Sequence, residues 1–197
     1  MIQRALNNSM AEHKVPEQFI ASPICTAAEA PQRVPNTPGY YAIFVDDPTS
    51  LKSPFHELLD RRATKLMYIG IAGTSLYQRL VKQDLQHQRP STFFRAIGPI
   101  LGYRPAPGSL KCMRNKYNYR FGRGDTSEII AWINEHLSVN WLEATPALRT
   151  VETSLIKTYS PIINTEDNPN PAIELANLRA ECRMIARNPP RGAGQIE

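Results

Sequence analysis

The sequence has few cysteines, and none of them has a metal-binding spacing. Three are present, Cys25, Cys112 and Cys182, odd in number and far apart. This distribution argues against a disulfide framework, and the lack of CxxC or Cys/His spacing argues against a zinc site. A cytoplasmic protein with reduced thiols is the expectation that follows.

Long hydrophobic runs are also lacking. No segment approaches the roughly 18 apolar residues of a membrane span, and the first residues lack the apolar core of a signal peptide. We therefore expect a soluble protein with no membrane partner. Neither sign of charge dominates, because the net charge of +5 over 197 residues is a modest basic excess. That excess favours a polyanionic partner only weakly.

Two apolar runs predict strands, and a helix follows the second. Gly39–Val45 (GYYAIFV) is apolar on both alternating faces, and residues 66–71 (LMYIGI) are rich in aliphatic and aromatic side chains. Ser75 and Gln78 have the spacing of a capping box, which predicts a helix that begins near Ser75 and carries Arg79 close to its N-terminus. An anionic partner could bind at that helix end.

A later helix carries a carboxylate on its apolar face. Thr145-Pro146 favours a helix start, and the apolar side chains after it repeat at helical spacing. At ~100° per residue, Glu152 lies about 40° from Leu148, inside the apolar stripe. A bare carboxylate is costly there, so Glu152 should meet a metal ion, a basic side chain or a cleft.

The pattern of prolines and periodic segments divides the chain into three parts. Residues 1–36 contain four prolines without sustained periodicity and are predicted to form an irregular N-terminal extension. Residues 37–166 hold the predicted strands and helices of one domain. Residues 167–197 are predicted to form a C-terminal helix and a flexible tail.

Five elements in this order resemble the GIY-YIG nuclease superfamily, and the resemblance runs from about residue 39 to residue 164. They are Gly39-Tyr40-Tyr41, Tyr68-Ile69-Gly70, Arg79, Glu152 and Asn164. Each element alone is weak evidence for the family, but their order and their predicted strand and helix contexts make the combination fairly specific. The resemblance implies an α/β fold of the α+β type, with a three-stranded antiparallel sheet flanked by helices.

The resemblance also implies a hydrolase, an endonuclease that cuts DNA phosphodiester bonds with one divalent metal ion, Mg²⁺ or Mn²⁺. Glu152 would be the metal ligand, because hard oxygen donors suit Mg²⁺. Arg79 would bind the scissile phosphate. Tyr41 and Tyr68 would face the cleft, and one of them would orient or deprotonate the attacking water. A phenol with a pKa near 10 is a poor base, so the metal or arginine would have to lower it.

Asn164 would orient its neighbours rather than take part in the chemistry. The remaining alternatives are an inactive nucleic-acid-binding or interaction module on the same fold, and a nuclease directed at RNA. Either a monomer or a transient homodimer on DNA fits the sequence.

Basic and aromatic residues alternate between positions 93 and 123 and could contact phosphates and stack on bases. A solvated strand face would give the same pattern of basic and aromatic residues in the sequence. The candidate nucleic-acid-binding residues are Arg95, Arg104, Lys111, Arg114 and Lys116.

Overall fold

The computed structural model describes residues 25–144 and 148–188, and an antiparallel sheet of four strands lies at its centre. The strands are β1 (Cys25–Thr26), β2 (Gly39–Val45), β3 (Leu66–Ala72) and β4 (Leu137–Glu143). Their order in the sheet is β1-β4-β2-β3. β2 is therefore an interior strand, which agrees with its apolar side chains on both faces.

Helices cover both faces of this sheet. In chain order they are α1 (Ala30–Arg33), α2 (Phe55–Arg61), a π-helix (Tyr77–Leu85), α3 (Phe94–Ile100), α4 (Arg123–His136), α5 (Leu148–Tyr159) and α6 (Ile173–Arg187). Ser75 Oγ accepts a hydrogen bond from the Gln78 N–H (3.0 Å), so the predicted cap is present. Across the described ranges, no helix combines the length and apolar character needed to cross a membrane.

The prediction of three strands is wrong, because β1 adds a fourth. Cys25 lies opposite Val139 and Thr26 opposite Ser138, so part of the predicted irregular extension pairs with β4. A two-residue strand is too short to show alternation in the sequence, which is why the pattern did not predict it. Residues 1–24 of the predicted extension and residues 189–197 of the predicted tail lie outside the described residues.

The side chains of β2 alternate between two cores. Tyr40 and Ala42 pack on one face of the sheet with Leu155 of α5. Tyr41 and Ile43 point to the opposite face, where the π-helix, α3, α4 and α6 contribute to a larger core. α5 therefore brings its residues to the sheet from one side, and the π-helix approaches from the other.

Candidate active site

Arg79 and Tyr41, both predicted site residues, meet at a buried carboxylate, Asp84. The Tyr41 hydroxyl donates to Asp84 Oδ2 (2.5 Å), and Arg79 Nη1 donates to Asp84 Oδ1 (2.5 Å). Ser91 Oγ also donates to Oδ1 (2.6 Å). The Asp84 side chain is fully buried. Its three donors therefore replace the water that an ionised carboxylate would otherwise need.

The π-helix explains how Arg79 and Asp84 reach each other. Five residues apart on an α-helix, their side chains would point about 140° apart. In a π-helix the hydrogen bonds run to the fifth residue back, as from Gln86 N to Val81 O (2.9 Å). This wider winding brings residues five apart onto the same side of the helix.

Sequence reasoning did not find Asp84. The signal was present, because Asp84 continues the spacing of Leu76 and Leu80 by one more step of four residues. A carboxylate on an apolar helix face is the same feature that identified Glu152.

Burial and charge set the protonation of this network. Burial, together with the Asp84 carboxylate, raises the pKa of Tyr41 well above its ordinary value. Burial lowers the pKa of Arg79, but Asp84 and the two site tyrosines more than compensate and raise it. Tyr41 is fully buried, so the expectation that it faces the cleft is not met. It acts as a hydrogen-bond donor to Asp84, and Arg79 stays cationic.

Tyr68 and Glu152 line a small cleft of about 160 Å³. Thr92, Arg149, Ile156 and residues 163–167 form the rest of its wall. The Tyr68 ring lies 6.2 Å from the Tyr41 ring, centroid to centroid, which joins the cleft to the Asp84 network. Burial and Asp84 raise the pKa of Tyr68, and Arg79 opposes the shift only in part. The expected lowering of a tyrosine pKa by arginine therefore does not outweigh burial.

Glu152 is buried, with 7% of its surface exposed, as its position in the apolar stripe predicts. Its Oε2 accepts a hydrogen bond from Arg149 Nη1 (3.0 Å). The other terminal nitrogen of Arg149 lies 3.1 Å from Glu166 and 3.2 Å from Asp167. Burial raises the pKa of Glu152, and Arg149 offsets part of that shift. Three carboxylates thus share one cation at the cleft.

The donor set at the cleft fits one kind of metal ion. The described residues contain no group of three or more His, Cys, Asp or Glu side chains that could hold a metal. A zinc-type cage is therefore not formed by this part of the chain. Mg²⁺ usually keeps several waters beside one or two carboxylates, and Mn²⁺ prefers similar oxygen donors. Glu152 on a cleft wall fits such a hydrated ion.

Asn164 holds the wall of the cleft against β3. Its Oδ1 accepts from the Ile69 N–H (2.9 Å), and its Nδ2 donates to the Ile69 carbonyl (2.9 Å). One residue earlier, the Ile163 N–H donates to the Met67 carbonyl (2.9 Å), where β3 has a bulge. Asn164 therefore extends the sheet like a neighbouring strand, and both ends of its amide are occupied. The orienting role of Asn164 in catalysis stays a prediction.

The candidate nucleic-acid-binding residues lie in different settings. Arg95 is half-buried, and Lys111 and Arg114 are exposed. Arg104 forms an ion pair with Glu181 (2.9 Å). Lys116 donates to the carbonyls of Leu110 and Lys111 (3.2 and 3.3 Å).

The aromatic residues between positions 93 and 123 are mostly unavailable for stacking on bases. Phe93, Phe94, Tyr119 and Phe121 are buried in the core, whereas Tyr117 is largely exposed. The expectation of an aromatic stacking surface is therefore wrong for these four side chains. Alternating basic and aromatic residues here reflect a segment with one face in the core.

Residues 39–183 match the family model described as the GIY-YIG catalytic domain. The match covers most of the chain and includes all five elements of the sequence pattern. A search of curated proteins and a search of solved structures each gave no match. A domain of this kind indicates nuclease activity in general, and nucleases of this family generally depend on a divalent metal. The chain belongs to the GIY-YIG nuclease superfamily.

Proposed function

We propose that the protein is a metal-dependent endonuclease that hydrolyses DNA phosphodiester bonds. One observation carries the proposal: Glu152, a buried carboxylate, lines the same cleft as Tyr68 and is close enough to Arg79 for that charge to lower its pKa. A carboxylate that can hold a metal ion, a phenol in the same cleft and a cation near enough to act on that carboxylate are groups that phosphodiester hydrolysis needs.

Arg79 binds the scissile phosphate in this proposal. Its charge is permanent, and Asp84 fixes one terminal nitrogen, so its remaining N–H groups have a defined direction. About a quarter of its side chain is exposed (26%), beside a second cleft formed by residues 72–75, the π-helix and Arg89. Tyr41 and Ser91 act through Asp84 and are positioning residues.

Tyr68 orients the attacking water. Of the two candidate tyrosines it is the one that lines the cleft, and its raised pKa keeps the phenol protonated at neutral pH. A protonated phenol donates or accepts a hydrogen bond but does not remove a proton from water. The water oxygen forms the new P–O bond while the ester P–O bond to the leaving sugar oxygen breaks. The water gives up a proton to solvent and the leaving oxygen takes one from solvent, so the products are a phosphate monoester and a hydroxyl.

Glu152 would hold the metal ion, Mg²⁺ or Mn²⁺, from the wall of the cleft. When bound, such an ion offsets the negative charge on the phosphate and makes a coordinated water more acidic. Asn164 keeps residues 163–167 of the cleft wall against β3.

One observation favours a second candidate, a nucleic-acid-binding module without turnover. Arg149 already neutralises Glu152, and it holds Glu166 and Asp167 as well. A carboxylate that keeps this partner has less attraction for a metal ion. Binding of nucleic acid without cleavage of DNA or RNA would support this candidate.

The decisive experiment is cleavage of supercoiled plasmid by the wild-type protein and by Glu152→Gln, with Mg²⁺, Mn²⁺ or EDTA. We expect nicking or linearisation by the wild type with metal only, and loss of at least about 100-fold in the variant. A matched control is Glu135→Gln, because Glu135 is an exposed helical carboxylate on α4. Equal activity of Glu152→Gln and wild type would contradict the proposal, and an RNA substrate run in parallel tests the choice of DNA.

Thermal unfolding shows whether Glu152→Gln keeps its fold. The pKa of Glu152 is raised in the folded chain, so the stability due to its proton is present at acid pH and lost as pH rises through that pKa. At neutral pH the glutamine variant should therefore be at least as stable as wild type. Arg149 is 59% exposed and keeps its ion pairs with Glu166 and Asp167. The loss of its ion pair with Glu152 should therefore change the stability of the folded chain little.

A further inference from the structure

Two arginines near the cleft lack the carboxylate partners that the other site arginines have. Arg79 is paired with Asp84, and Arg149 with three acidic residues. Arg95 and Arg179 are half-buried, but within residues 25–144 and 148–188 neither has an Asp or Glu oxygen within 4.0 Å. A charge that is partly removed from water is costly without an anionic partner.

Both arginines border the cleft through its threonines. Arg95 Nη2 lies 3.5 Å from Thr92 Oγ1, and Arg179 Nη1 lies 3.3 Å from Thr165 Oγ1. Thr92 and Thr165 line the cleft together with Tyr68. Arg95 comes from α3 and Arg179 from the middle of α6, so two separate elements bring positive charge to one place.

The two guanidinium groups repel each other and have lost part of their water. Burial lowers the pKa of Arg179, and the charge of Arg95 lowers it further. Burial also lowers the pKa of Arg95, and Tyr119, Tyr68 and the more distant Asp84 carboxylate offset this only in part. Their hydrogen bonds in the folded chain are long, between 3.3 and 3.5 Å, and go to uncharged oxygens. Two like charges in this setting are unfavourable unless an anion binds between or beside them.

A phosphodiester group matches this requirement. It carries one negative charge and two free oxygens, and guanidinium groups donate to such oxygens with good geometry. Arg79 lines a different cleft from Thr92 and Thr165, so this anion would be distinct from the phosphate at Arg79.

We propose that Arg95 and Arg179 together bind a second backbone phosphate of the nucleic acid, next to the scissile one. The inference rests on the proposed nuclease function for the identity of the anion. It makes α6, from the C-terminal part of the chain, a component of the substrate-binding surface, and it gives Arg95 a specific partner in place of a general basic patch.

The test is binding of a fluorescein-labelled DNA duplex, with EDTA present to prevent cleavage, measured by anisotropy at several salt concentrations. Arg95→Gln and Arg179→Gln should each weaken binding roughly tenfold or more, since hydrogen bonds to charged groups are strong. Each should also reduce the slope of log affinity against log salt by about 0.9. Arg187→Gln is the matched control, because Arg187 is an exposed arginine on the same helix.

A readout of stability separates phosphate binding from a structural role. Removal of one of two repelling charges should leave the melting temperature unchanged or higher, and Arg179→Lys should restore part of the binding. A lower melting temperature without rescue by lysine would overturn the proposal. Binding equal to that of Arg187→Gln, or no binding by the wild type, would overturn it too.

The outcomes for this pair and for the nuclease are distinguishable. If the wild type cuts plasmid while both arginine variants bind DNA like the control, only the proposal that Arg95 and Arg179 bind a second phosphate is contradicted. If the arginine variants bind more weakly but the wild type cuts no substrate, the proposed phosphate binding by Arg95 and Arg179 is supported and the proposed nuclease activity is contradicted.

Discussion

Asp84 fixes the orientation of Arg79 and Tyr41, although neither the pattern of triplets nor the resemblance pointed to it. Its two oxygens accept from Arg79 on the same π-helix, from Ser91 seven residues later and from Tyr41 on β2. The carboxylate is fully buried, so every one of these contacts is made in a poorly solvated place where charge-assisted bonds are strong. The direction in which Arg79 points therefore depends on a single side chain.

Replacement of Asp84 by asparagine tests this dependence. Asp84→Asn keeps the shape but removes the charge that pairs with Arg79, and we expect a loss of about 3 kcal/mol in the free energy of unfolding. Cleavage should fall by roughly 10-fold or more, because a mispositioned phosphate ligand is costly. Urea denaturation and plasmid cleavage measure the two effects. Asp60→Asn, at an exposed site on α2, is the control, and equal results for both variants would contradict the prediction.

The charge of Arg149 sets where Glu152 titrates. Burial raises the pKa of Glu152 and Arg149 lowers it, so Arg149→Gln should raise that pKa further. If Glu152 holds the metal ion as proposed, it must be ionised, and activity should therefore fall as pH drops through this pKa. The acid limb of the pH–rate profile should move to higher pH in Arg149→Gln and stay in place in Arg187→Gln. An unchanged or lower midpoint would show that Arg149 does not influence Glu152 in solution.

At the scale of elements, β2 and β3 fit together because a glycine faces a tyrosine. Gly70 lies opposite Tyr41 in the register, and a Cβ at position 70 would overlap the Tyr41 ring. The close approach of ring and backbone leaves the phenol in reach of Asp84 on the neighbouring π-helix. The strand register, the glycine at position 70 and the winding of the π-helix together place the Tyr41 hydroxyl against Asp84.

Gly70→Ala should disturb this fit. The added methyl group forces the Tyr41 ring to move, which we expect to cost about 1–3 kcal/mol as overpacking and to weaken cleavage. Gly73→Ala is the control for stability, since a Cβ there meets nothing within 4 Å. Thermal unfolding of both variants gives the comparison, and a Gly70→Ala protein as stable as Gly73→Ala would contradict the expected clash.

The sequence was most informative where an element had enough residues to show a period. Gly39–Val45 forms a strand with the predicted bounds, and Glu152 lies on the buried face of its helix. The strand Cys25–Thr26 has no period to detect. The π-helical winding that aligns Arg79 with Asp84 could not be predicted either, because its side-chain spacing resembles that of an ordinary helix in the sequence.

Residue pairs distant in the sequence were also beyond prediction. Nothing in the spacing of Arg149, Glu166 and Asp167 indicates that one arginine serves three carboxylates. Likewise, the basic and aromatic alternation near position 119 indicated either a nucleic-acid surface or a solvated strand face, and Tyr119 is instead buried in the core. A local sequence pattern predicts which side chains of one helix or strand are buried. The contacts that these side chains make with other elements depend on how several elements pack together.

For the whole molecule, the remaining question is where the folded unit ends. The sequence predicted a domain over residues 37–166 with a C-terminal helix outside it, whereas the family match extends to residue 183. Leu175, Cys182 and Ala186 of α6 are buried in the main core. The Leu110 N–H donates to the Ala186 carbonyl (2.8 Å). α6 therefore has the contacts of an integral element.

A pair of truncated chains tests this view. A chain that ends at residue 166 loses the buried face of α6, where each large apolar side chain is worth about 1.5–3 kcal/mol, and total stability is only about 5–15 kcal/mol. We expect it to lose cooperative unfolding in urea, while a chain that ends at residue 188 unfolds like the full sequence. Circular dichroism across a urea gradient measures both. Cooperative unfolding of the shorter chain at the same midpoint would instead place the boundary at residue 166 and leave Arg179 outside the folded nuclease domain.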